Sequence, residues 1–365
     1  MKFLILFILL IATGLLIFKV FIEDIYWGLR LKFILGEVAK KVSEDEGSLL
    51  IFVKKSLVDY RGLLISEIKK NSSSDYSLLE SFGQLMEYSL LIKNKRLFDV
   101  LYRNIKRYFL SKEGYLYWRI NRRTLKPDNS TAFLDSLRIL YSLVKAFHIF
   151  KDRDYLEEGR RILEGIIKYN TYKNFFVDFY DGRIKKVSTT ISLFYLDIDK
   201  IQYVADEFSE IKKYFENSRR LLLGSLICSD IFFPIKYDLL KNEFIKPREI
   251  NTIEQVLIAL YIKDKTLFKN FLNFVNMEIN KYNKISIQYD WLGRRIREEE
   301  SSGVYTLVLR LYHKLNERTY LNKLKNFIKR FKGKNMGLGD HYNYNFYAFD
   351  QLENLLTLAI VRSEL

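Results

Sequence analysis

The stretch Ser77–Asn121, "SLLESFGQLMEYSLLIKNKRLFDVLYRNIKRYFLSKEGYLYWRIN", places two amphipathic segments and an aromatic segment in immediate succession. Apolar residues recur at helical spacing over 76–92 and again over 95–110, with only a short polar connection between them. Residues 114–127 alternate and carry aromatic side chains, which is typical of a β-hairpin. The stretch therefore predicts two antiparallel helices followed by a hairpin.

This unit of two helices and a hairpin recurs along the chain. Two further segments, 174–187 and 283–298, alternate and carry aromatic residues, and the first contains the turn signal Asp181-Gly182. Apolar periodicity predicts helices over approximately 24–43, 48–69, 76–92, 95–110, 130–150, 153–169, 198–214, 216–227, 251–262, 266–281, 302–315, 317–331 and 346–362. Paired helices with hairpins gathered at one end predict an all-α fold, an (α/α)6 barrel or six-hairpin toroid with short β-hairpins at one end.

The N-terminus carries an uncharged apolar run, Phe3–Phe18, between Lys2 and Lys19. A secretory apolar region is usually about 7–15 residues long and a membrane-spanning helix about 20. No cleavage site of the small-x-small type follows. We predict a signal anchor, a transmembrane segment over residues 1–22, followed by an extracytoplasmic domain over 23–365. A protein secreted after signal cleavage is the alternative.

Composition favours a large packed core, since 48% of the 365 residues are hydrophobic and 16% are aromatic. The net charge of +16 is spread along the chain without a nucleic-acid-binding motif, so we expect no nucleic acid partner. A positive surface would suit anionic lipid headgroups or an acidic glycan. The single Cys228 excludes an internal disulfide, and His148, His313 and His341 lack metal-binding spacing. We therefore expect no metal and no cofactor.

One polar stripe lies on the helix predicted over 76–92, where Glu80, Gln84 and Glu87 follow at spacings of four and three. Such a stripe is usually solvated, but on an inner helix of a barrel it would line the central cleft. Glu80 stands beside Leu79 and Phe82 in sequence, and an apolar setting raises the pKa of a carboxyl group.

Residues 80–121 resemble the N-terminal signature of glycoside hydrolase family 8. Glu80 falls on the general acid of that signature and Met86 on its methionine. The pair Phe98-Asp99 and the group Gly114, Trp118 and Arg119 match its later elements. The resemblance continues through 132–146, 289–305 and 341–351. It implies an inverting glycosidase that cleaves β-linked polysaccharide with two carboxyl groups.

The chain departs from the family pattern at the other carboxylates. Without a gap, the aspartate positions of the family fall on Leu134 and Ser136, and its catalytic base falls on Thr252. The carboxylates close to these positions are Asp135 and Glu254. We therefore predict Glu80, Asp135 and Glu254 as the catalytic candidates, and which of them activates water stays open here.

Sugar-binding side chains are predicted on the first helix of the signature and on two hairpins. Trp118 has two interpretations of equal weight, a platform for sugar rings or a core residue that packs the hairpin on the barrel. The substrate-binding candidates are Gln84, Tyr117, Trp118, Arg119, Asp290 and Trp291.

Three functions remain at this point. The first is a membrane-tethered, exported glycosidase that cleaves an exopolysaccharide or cell-wall glycan. The second is an inactive relative that binds glycan or scaffolds a polysaccharide-synthesis system. The third is another (α/α)6 enzyme, such as a polysaccharide lyase, which would need a histidine or tyrosine base that the sequence does not place.

Overall fold

The computed structural model describes residues 2–340 and 344–363, and only the backbone of 2–12 and 14–17. This part of the chain forms thirteen α-helices and fourteen short β-strands. The helices are α1 (Lys2–Ala39), α2 (Glu44–Phe52), α3 (Leu79–Leu91), α4 (Lys95–Tyr108), α5 (Phe133–Phe150), α6 (Arg153–Tyr169), α7 (Ile198–Glu207), α8 (Lys212–Ser225), α9 (Thr252–Tyr261), α10 (Lys269–Met277), α11 (Ser302–Lys314), α12 (Leu321–Lys329) and α13 (Ala348–Ser363). The strands are β1 (Glu67–Lys69), β2 (Ser72–Ser73), β3 (Tyr76–Leu78), β4 (Arg119–Asn121), β5 (Thr171–Tyr172), β6 (Phe175–Phe176), β7 (Tyr180–Asp181), β8 (Lys186–Val187), β9 (Thr190–Ser192), β10 (Lys236–Asp238), β11 (Glu243–Ile245), β12 (Glu249–Asn251), β13 (Gln288–Asp290) and β14 (Phe346–Tyr347).

The helices form two concentric rings. Within the inner ring α3 packs on α5, α5 on α7, α9 on α11, α11 on α13, and α13 closes the ring on α3. A 3₁₀ turn directly before α7, Leu193–Tyr195, supplies the contact with α9. Helices such as α3 and α11 are buried on nearly every side, whereas α4 and α6 bury one face, as an outer ring requires. The arrangement agrees with the predicted (α/α)6 barrel.

Short antiparallel strand pairs gather where the inner helices begin. β3 pairs with β4 and leads directly into α3, and β12 pairs with β13 and leads into α9. β14 pairs with β1 and leads into α13. The three alternating segments of the sequence contain β4, β6–β8 and β13, so their prediction as strand-bearing segments is confirmed. We call this face of the barrel the hairpin end.

The helix predicted over 48–69 is wrong in its second half. α2 ends at Phe52, a π-helical turn follows, and the chain then makes an isolated bridge before β1. The Asp59 carboxylate accepts hydrogen bonds from the backbone N–H groups of Arg61 and Leu63, which favours a turn over a helix. Gly62 takes a positive φ of 80°, a conformation that ends helical periodicity.

The predicted anchor spans residues 1–22, and the structure does not describe the side chains of most of these residues. α1 is nevertheless helical from Lys2, which is earlier than the predicted start at residue 24. Among the residues that were described fully, no helix has both the length and the apolar character needed to cross a bilayer. His341 also lies outside the described part of the chain.

Candidate active site

Three carboxylates occupy the first turns of three inner helices. Glu80 is the second residue of α3, Asp135 the third of α5, and Glu254 the third of α9. The partial positive charge of a helix N-terminus favours a carboxylate there. Because the backbone N–H of Leu79 donates to the carbonyl of Trp118 at 2.9 Å, the first hairpin determines where α3 begins.

The phenol of Tyr195 lies near these three carboxylates and near a fourth, that of Asp178. Tyr195 interacts electrostatically with Asp135, Asp178, Glu80 and Glu254, and these charges together with burial raise its pKa. The phenol therefore stays protonated and can donate a hydrogen bond. These five residues come from separate parts of the chain, and we refer to them together as the carboxylate cleft.

Glu80 and Asp135 form an electrostatically coupled pair. Burial raises the pKa of both carboxyls, and the charge on Glu80 raises the pKa of Asp135 further. The guanidinium of Arg138 acts in the opposite direction on both. Two close carboxyls in a poorly solvated site resist losing both protons, so the pair retains one proton to higher pH than ordinary carboxyls do.

Helices α3 and α5 approach each other closely below this pair. Gly83 lies one turn after Glu80, and Arg138 lies one turn after Asp135. A Cβ atom on Gly83 would stand 3.1 Å from Cβ of Arg138, so a larger residue would press on α5. The close approach sets the relative position of the two carboxylates above it.

Gln84 belongs to a buried network on the barrel axis. Its Nε2 donates to Oε1 of Glu353 at 2.9 Å, and Nη2 of Arg138 donates to the same oxygen at 3.1 Å. Arg310 contacts the other oxygen of Glu353. The structure thus places Gln84, a predicted sugar-binding residue, in a bond with a carboxylate of another inner helix.

Glu254 lies on the far side of the ring, since α9 stands three helices from α3 in either direction. It is half-buried, and burial raises its pKa while the charge on Lys236 lowers it. Thr252, at the position of the family's base, is buried and its hydroxyl donates to the carbonyl of Ser286 at 2.8 Å. Leu134 is buried as well.

The first hairpin holds Arg119 between two aromatic rings. Its guanidinium carbon lies 4.4 Å from the ring centroid of Trp118 and 4.5 Å from that of Tyr76. Nη2 of Arg119 pairs with Asp128 at 2.8 Å. One face of Trp118 is therefore covered by a cation. Tyr117 packs edge-on against Tyr115.

Asp290 and Trp291 lie where β13 turns. Asp290 accepts hydrogen bonds from the backbone N–H groups of Leu292 and Arg294 and pairs with Nε of Arg294 at 2.6 Å. These bonds lower its pKa. The ammonium group of Lys246 lies 4.9 Å from the ring centroid of Trp291. Asp290 thus stabilises the turn before α11, and one side of Trp291 contacts Lys246.

Sequence reasoning missed Asp178, Tyr195 and Lys236. Asp178 is buried and accepts hydrogen bonds from the hydroxyls of Ser192 and Thr190, both at 3.0 Å. Nζ of Lys236 lies 3.8 Å from the same carboxylate. No motif marks these residues. The available signal was the position of Asp178 in an otherwise apolar stretch of a predicted hairpin.

We found no cluster of metal-ligating side chains in the described part of the chain. The carboxylates of the cleft are accompanied by a phenol and by cations. This arrangement can donate and accept protons, as acid–base hydrolysis requires.

Replacing Glu353 with glutamine should lower the free energy of unfolding by about 3–5 kcal/mol, because Arg138 and Arg310 would lose a shared buried countercharge. Denaturant unfolding of the full chain measures the loss. The matched control is Glu317→Gln, which breaks an exposed pair with Lys265 and should cost about 1 kcal/mol or less. If the two variants lose the same free energy of unfolding, Glu353 does not stabilise the fold more than an exposed carboxylate does, and the prediction is contradicted.

Comparisons with known proteins agree with this architecture. The family model described as "Glycosyl hydrolases family 8" matches residues 53–177. A Bacillus subtilis (strain 168) protein named "Putative lipoprotein YdaJ" is 26% identical over 274 residues, which is 74% of each chain.

Two solved structures share the fold over most of their length. A structure described as a novel alpha-amylase from Clostridium perfringens has a TM-score of 0.77 at 21% identity, and covers 87% of this chain and 97% of its own. PssZ from Listeria monocytogenes has a TM-score of 0.71 at 24% identity, covering 84% and 93%. At such identities the likeness shows the fold alone.

The segment matched by the family model includes Glu80, Asp135 and the complete first hairpin. Of the carboxylate cleft, Glu80 and Asp135 lie within the matched segment, whereas Asp178, Tyr195 and Glu254 lie after it. Residues 53–177 are thus similar to glycosyl hydrolases family 8.

Proposed function

We propose that this protein is a glycoside hydrolase that cleaves a β-linked polysaccharide, an exopolysaccharide or a cell-wall glycan, by an inverting mechanism with Glu80 as general acid. The observation that carries the proposal is the coupled pair of Glu80 and Asp135 at the hairpin end, whose burial raises the pKa of both carboxyls. A neutral carboxyl group near neutral pH is what protonation of a glycosidic oxygen needs.

In the proposed reaction Glu80 gives its proton to the glycosidic oxygen as the bond from that oxygen to the anomeric carbon breaks. A carboxylate takes a proton from water, whose oxygen bonds to the anomeric carbon from the opposite face. The configuration inverts, and one water is consumed for each bond cleaved. A proton exchange with solvent then restores both carboxyls.

We assign the base to Asp135. When Glu80 is protonated its charge no longer raises the pKa of Asp135, and Arg138 then favours the Asp135 carboxylate. Glu254 has Lys236 as its charged neighbour and stands across the ring. We assign Glu254, with the Tyr195 phenol, to positioning the sugar hydroxyls.

The surrounding hairpins would bind the rest of the glycan. Tyr117 and the uncovered side of Trp118 offer aromatic surface on the first hairpin, while Arg119 is engaged by Asp128. Trp291 offers similar surface at the turn after β13. Lys236 and Lys246 bring positive charge to this end of the barrel, which would suit an acidic polymer.

A second candidate function, glycan binding without hydrolysis, is favoured by one observation. The positions of two family carboxylates hold Leu134 and Thr252, both buried and neither able to activate water. In that case the same cleft would bind a glycan for a polysaccharide-synthesis system.

Glu80→Gln and Asp135→Asn should each lower the release of reducing sugar by about 10²–10⁴-fold, the usual contribution of a general acid or base. Glu254→Gln should raise KM more than it lowers kcat. The substrates are β-glucan, xylan, chitosan, an acidic exopolysaccharide and starch, and proton NMR of the first product identifies its anomer. Glu113→Gln, an exposed carboxylate near the first hairpin, is the matched control and should be fully active.

These assays test the mechanism, the substrate class and the choice between hydrolysis and binding. A retained anomeric configuration would exclude the inverting mechanism, and cleavage of starch alone would exclude a β-linked substrate. If the unmodified chain cleaves none of the panel but binds one member, and Glu80→Gln binds it equally, the protein is a glycan-binding member of the family.

The pH dependence of unfolding follows from the raised pKa values of the pair. A carboxyl whose pKa is raised by folding stabilises the native state below its unfolded pKa, and this stabilisation is lost as pH rises through its folded pKa. Glu80→Gln mimics the protonated group. We therefore expect a higher thermal midpoint than the parent at pH 7, and no difference at pH 4. If the difference in thermal midpoint between Glu80→Gln and the parent is the same at pH 4 and at pH 7, the raised pKa of Glu80 is contradicted.

We also propose that the barrel is extracytoplasmic and held at the membrane by residues 1–22. The name of the relative YdaJ includes the word lipoprotein. The described part of α1 exposes apolar side chains on one face, and these residues are Phe18, Ile22, Tyr26, Leu29 and Phe33. Such a stripe suits contact with lipid at the point where the anchor meets the barrel.

Cell fractionation tests this placement. The full chain should sediment with membranes and resist extraction with high salt, whereas residues 23–365 should stay in the supernatant with hydrolytic activity unchanged. Protease added outside intact cells or protoplasts should degrade the barrel. A full chain that remains in the supernatant, or a barrel protected from external protease, would contradict the proposal.

A further inference from the structure

A cavity of about 600 Å³ opens at the face opposite the hairpin end. It is lined where inner helices end, by Leu91 of α3, Tyr261 of α9 and Lys314 of α11. Leu90, on the cavity wall, lies ten positions after Glu80 in α3, a distance on the order of 15 Å along a helix. We call this space the rear cavity. None of the five residues of the carboxylate cleft lines it, and its wall reaches as far as Arg138, one turn from Asp135.

Cations outnumber carboxylates on the wall of the rear cavity. Two of its lysines have carboxylate partners. Nζ of Lys200 lies 2.6 Å from Asp197 and 3.3 Å from Oε2 of Glu87, and Nζ of Lys314 lies 3.0 Å from Asp199. The lining cations are Arg138, Lys145, Lys200, Arg310 and Lys314, and the lining carboxylates are Glu87, Asp197 and Asp199.

The two arginines share a single close countercharge. Arg138, only 4% exposed, and Arg310 both bind Glu353, which is fully buried. Burial and the positive charge of Arg138 lower the pKa of Arg310 to about 10. Glu87 attracts both guanidiniums but forms no salt bridge with either, so Glu353 is their one direct ion-pair partner among the described residues.

Several buried polar atoms here have no hydrogen-bond partner among the described residues. They include Nε and Nη1 of Arg138 and Nε of Arg310, which are donors, and Oε1 of Glu87, which is an acceptor. Buried donors and acceptors are normally satisfied by protein, water or ligand. The unsatisfied guanidinium nitrogens call for an anion, and the free carboxylate oxygen can accept a hydroxyl.

The volume of the rear cavity and its aromatic and apolar side chains suit a small organic ligand that is larger than an inorganic ion. Its volume lies within the ~300–1,000 Å³ typical of sites for small organic ligands. Aromatic rings of Tyr141, Tyr203 and Tyr261 line it together with leucines such as Leu257. A ring-sized body with hydroxyl groups could lie against these side chains while its anionic group meets the arginines.

We propose that the rear cavity binds an anionic monosaccharide, with its phosphate or carboxylate on Arg138 and Arg310 and a hydroxyl on Glu87. The proposal goes beyond the hydrolase function and does not depend on it. Lys145, whose Nζ donates to the Tyr141 hydroxyl at 2.9 Å, would add a further cation at the rim.

Isothermal titration of the full chain at constant ionic strength tests the site. The probes are glucose 1-phosphate, glucuronate, inorganic phosphate and glucose. Saturable 1:1 binding is expected for one or both anionic sugars, with phosphate at least tenfold weaker and glucose without measurable binding. The comparison of glucose 1-phosphate with glucuronate shows whether phosphate or carboxylate is preferred.

Variants locate the binding. Arg310→Gln, which leaves Arg138 paired with Glu353, and Lys145→Met should each weaken binding by about tenfold or more. Lys112→Met, a remote exposed lysine, should bind like the parent. Glu254→Gln, a change in the carboxylate cleft at a residue across the ring, should also bind like the parent, and this separates the rear cavity from the carboxylate cleft.

The proposal is overturned if neither anionic sugar binds saturably or if glucose binds as tightly. It is equally overturned if Arg310→Gln and Lys145→Met retain the parent's affinity, or if Glu254→Gln abolishes binding. Should Arg310→Gln fail to fold by circular dichroism, Lys145→Met, at the rim of the cavity, decides the matter.

Discussion

The centre of the barrel depends on the hydrogen bonds and salt bridges of one buried residue, Glu353. Its carboxylate, on α13, is fully buried and holds Gln84 of α3, Arg138 of α5 and Arg310 of α11. A charge buried at this depth is tolerated only because its partners surround it, and each partner comes from a different inner helix. The contact therefore stabilises the inner ring and also specifies how its helices are arranged around the axis.

Arg138 connects this central network with both ends of the barrel. It lies one turn below Asp135, where its charge opposes the burial that raises the pKa values of Asp135 and Glu80. It also lines the rear cavity. The close approach of α5 to Gly83 holds the arginine in this position. One side chain thereby serves the electrostatics of two separate spaces.

The catalytic candidates at the hairpin end lie in the first turns of inner helices. Because inner helices begin there, their first turns present Glu80, Asp135 and Glu254 from several directions around one cleft. The strand pairs set the start of these helices, as the bond from Leu79 to Trp118 illustrates. Arg119, Asp290 and Trp291, which sequence patterns marked as sugar-binding, are partly occupied with holding the hairpins and turns themselves.

The sequence by itself determined the features that depend on near neighbours. Helical spacing predicted most of the helices, alternation predicted the strand-bearing segments, and Glu80 was recognisable from its apolar neighbours and the motif around it. The helix over 48–69 was mispredicted because one side chain, Asp59, and one glycine conformation outweigh apolar spacing. Only the tertiary structure decided which charged groups meet. Gln84 and Glu353 are 269 residues apart, and Asp178, Tyr195 and Lys236 join the cleft from separate segments. Local periodicity is set by backbone geometry over one or two turns, whereas these partnerships arise only when the ring of helices closes.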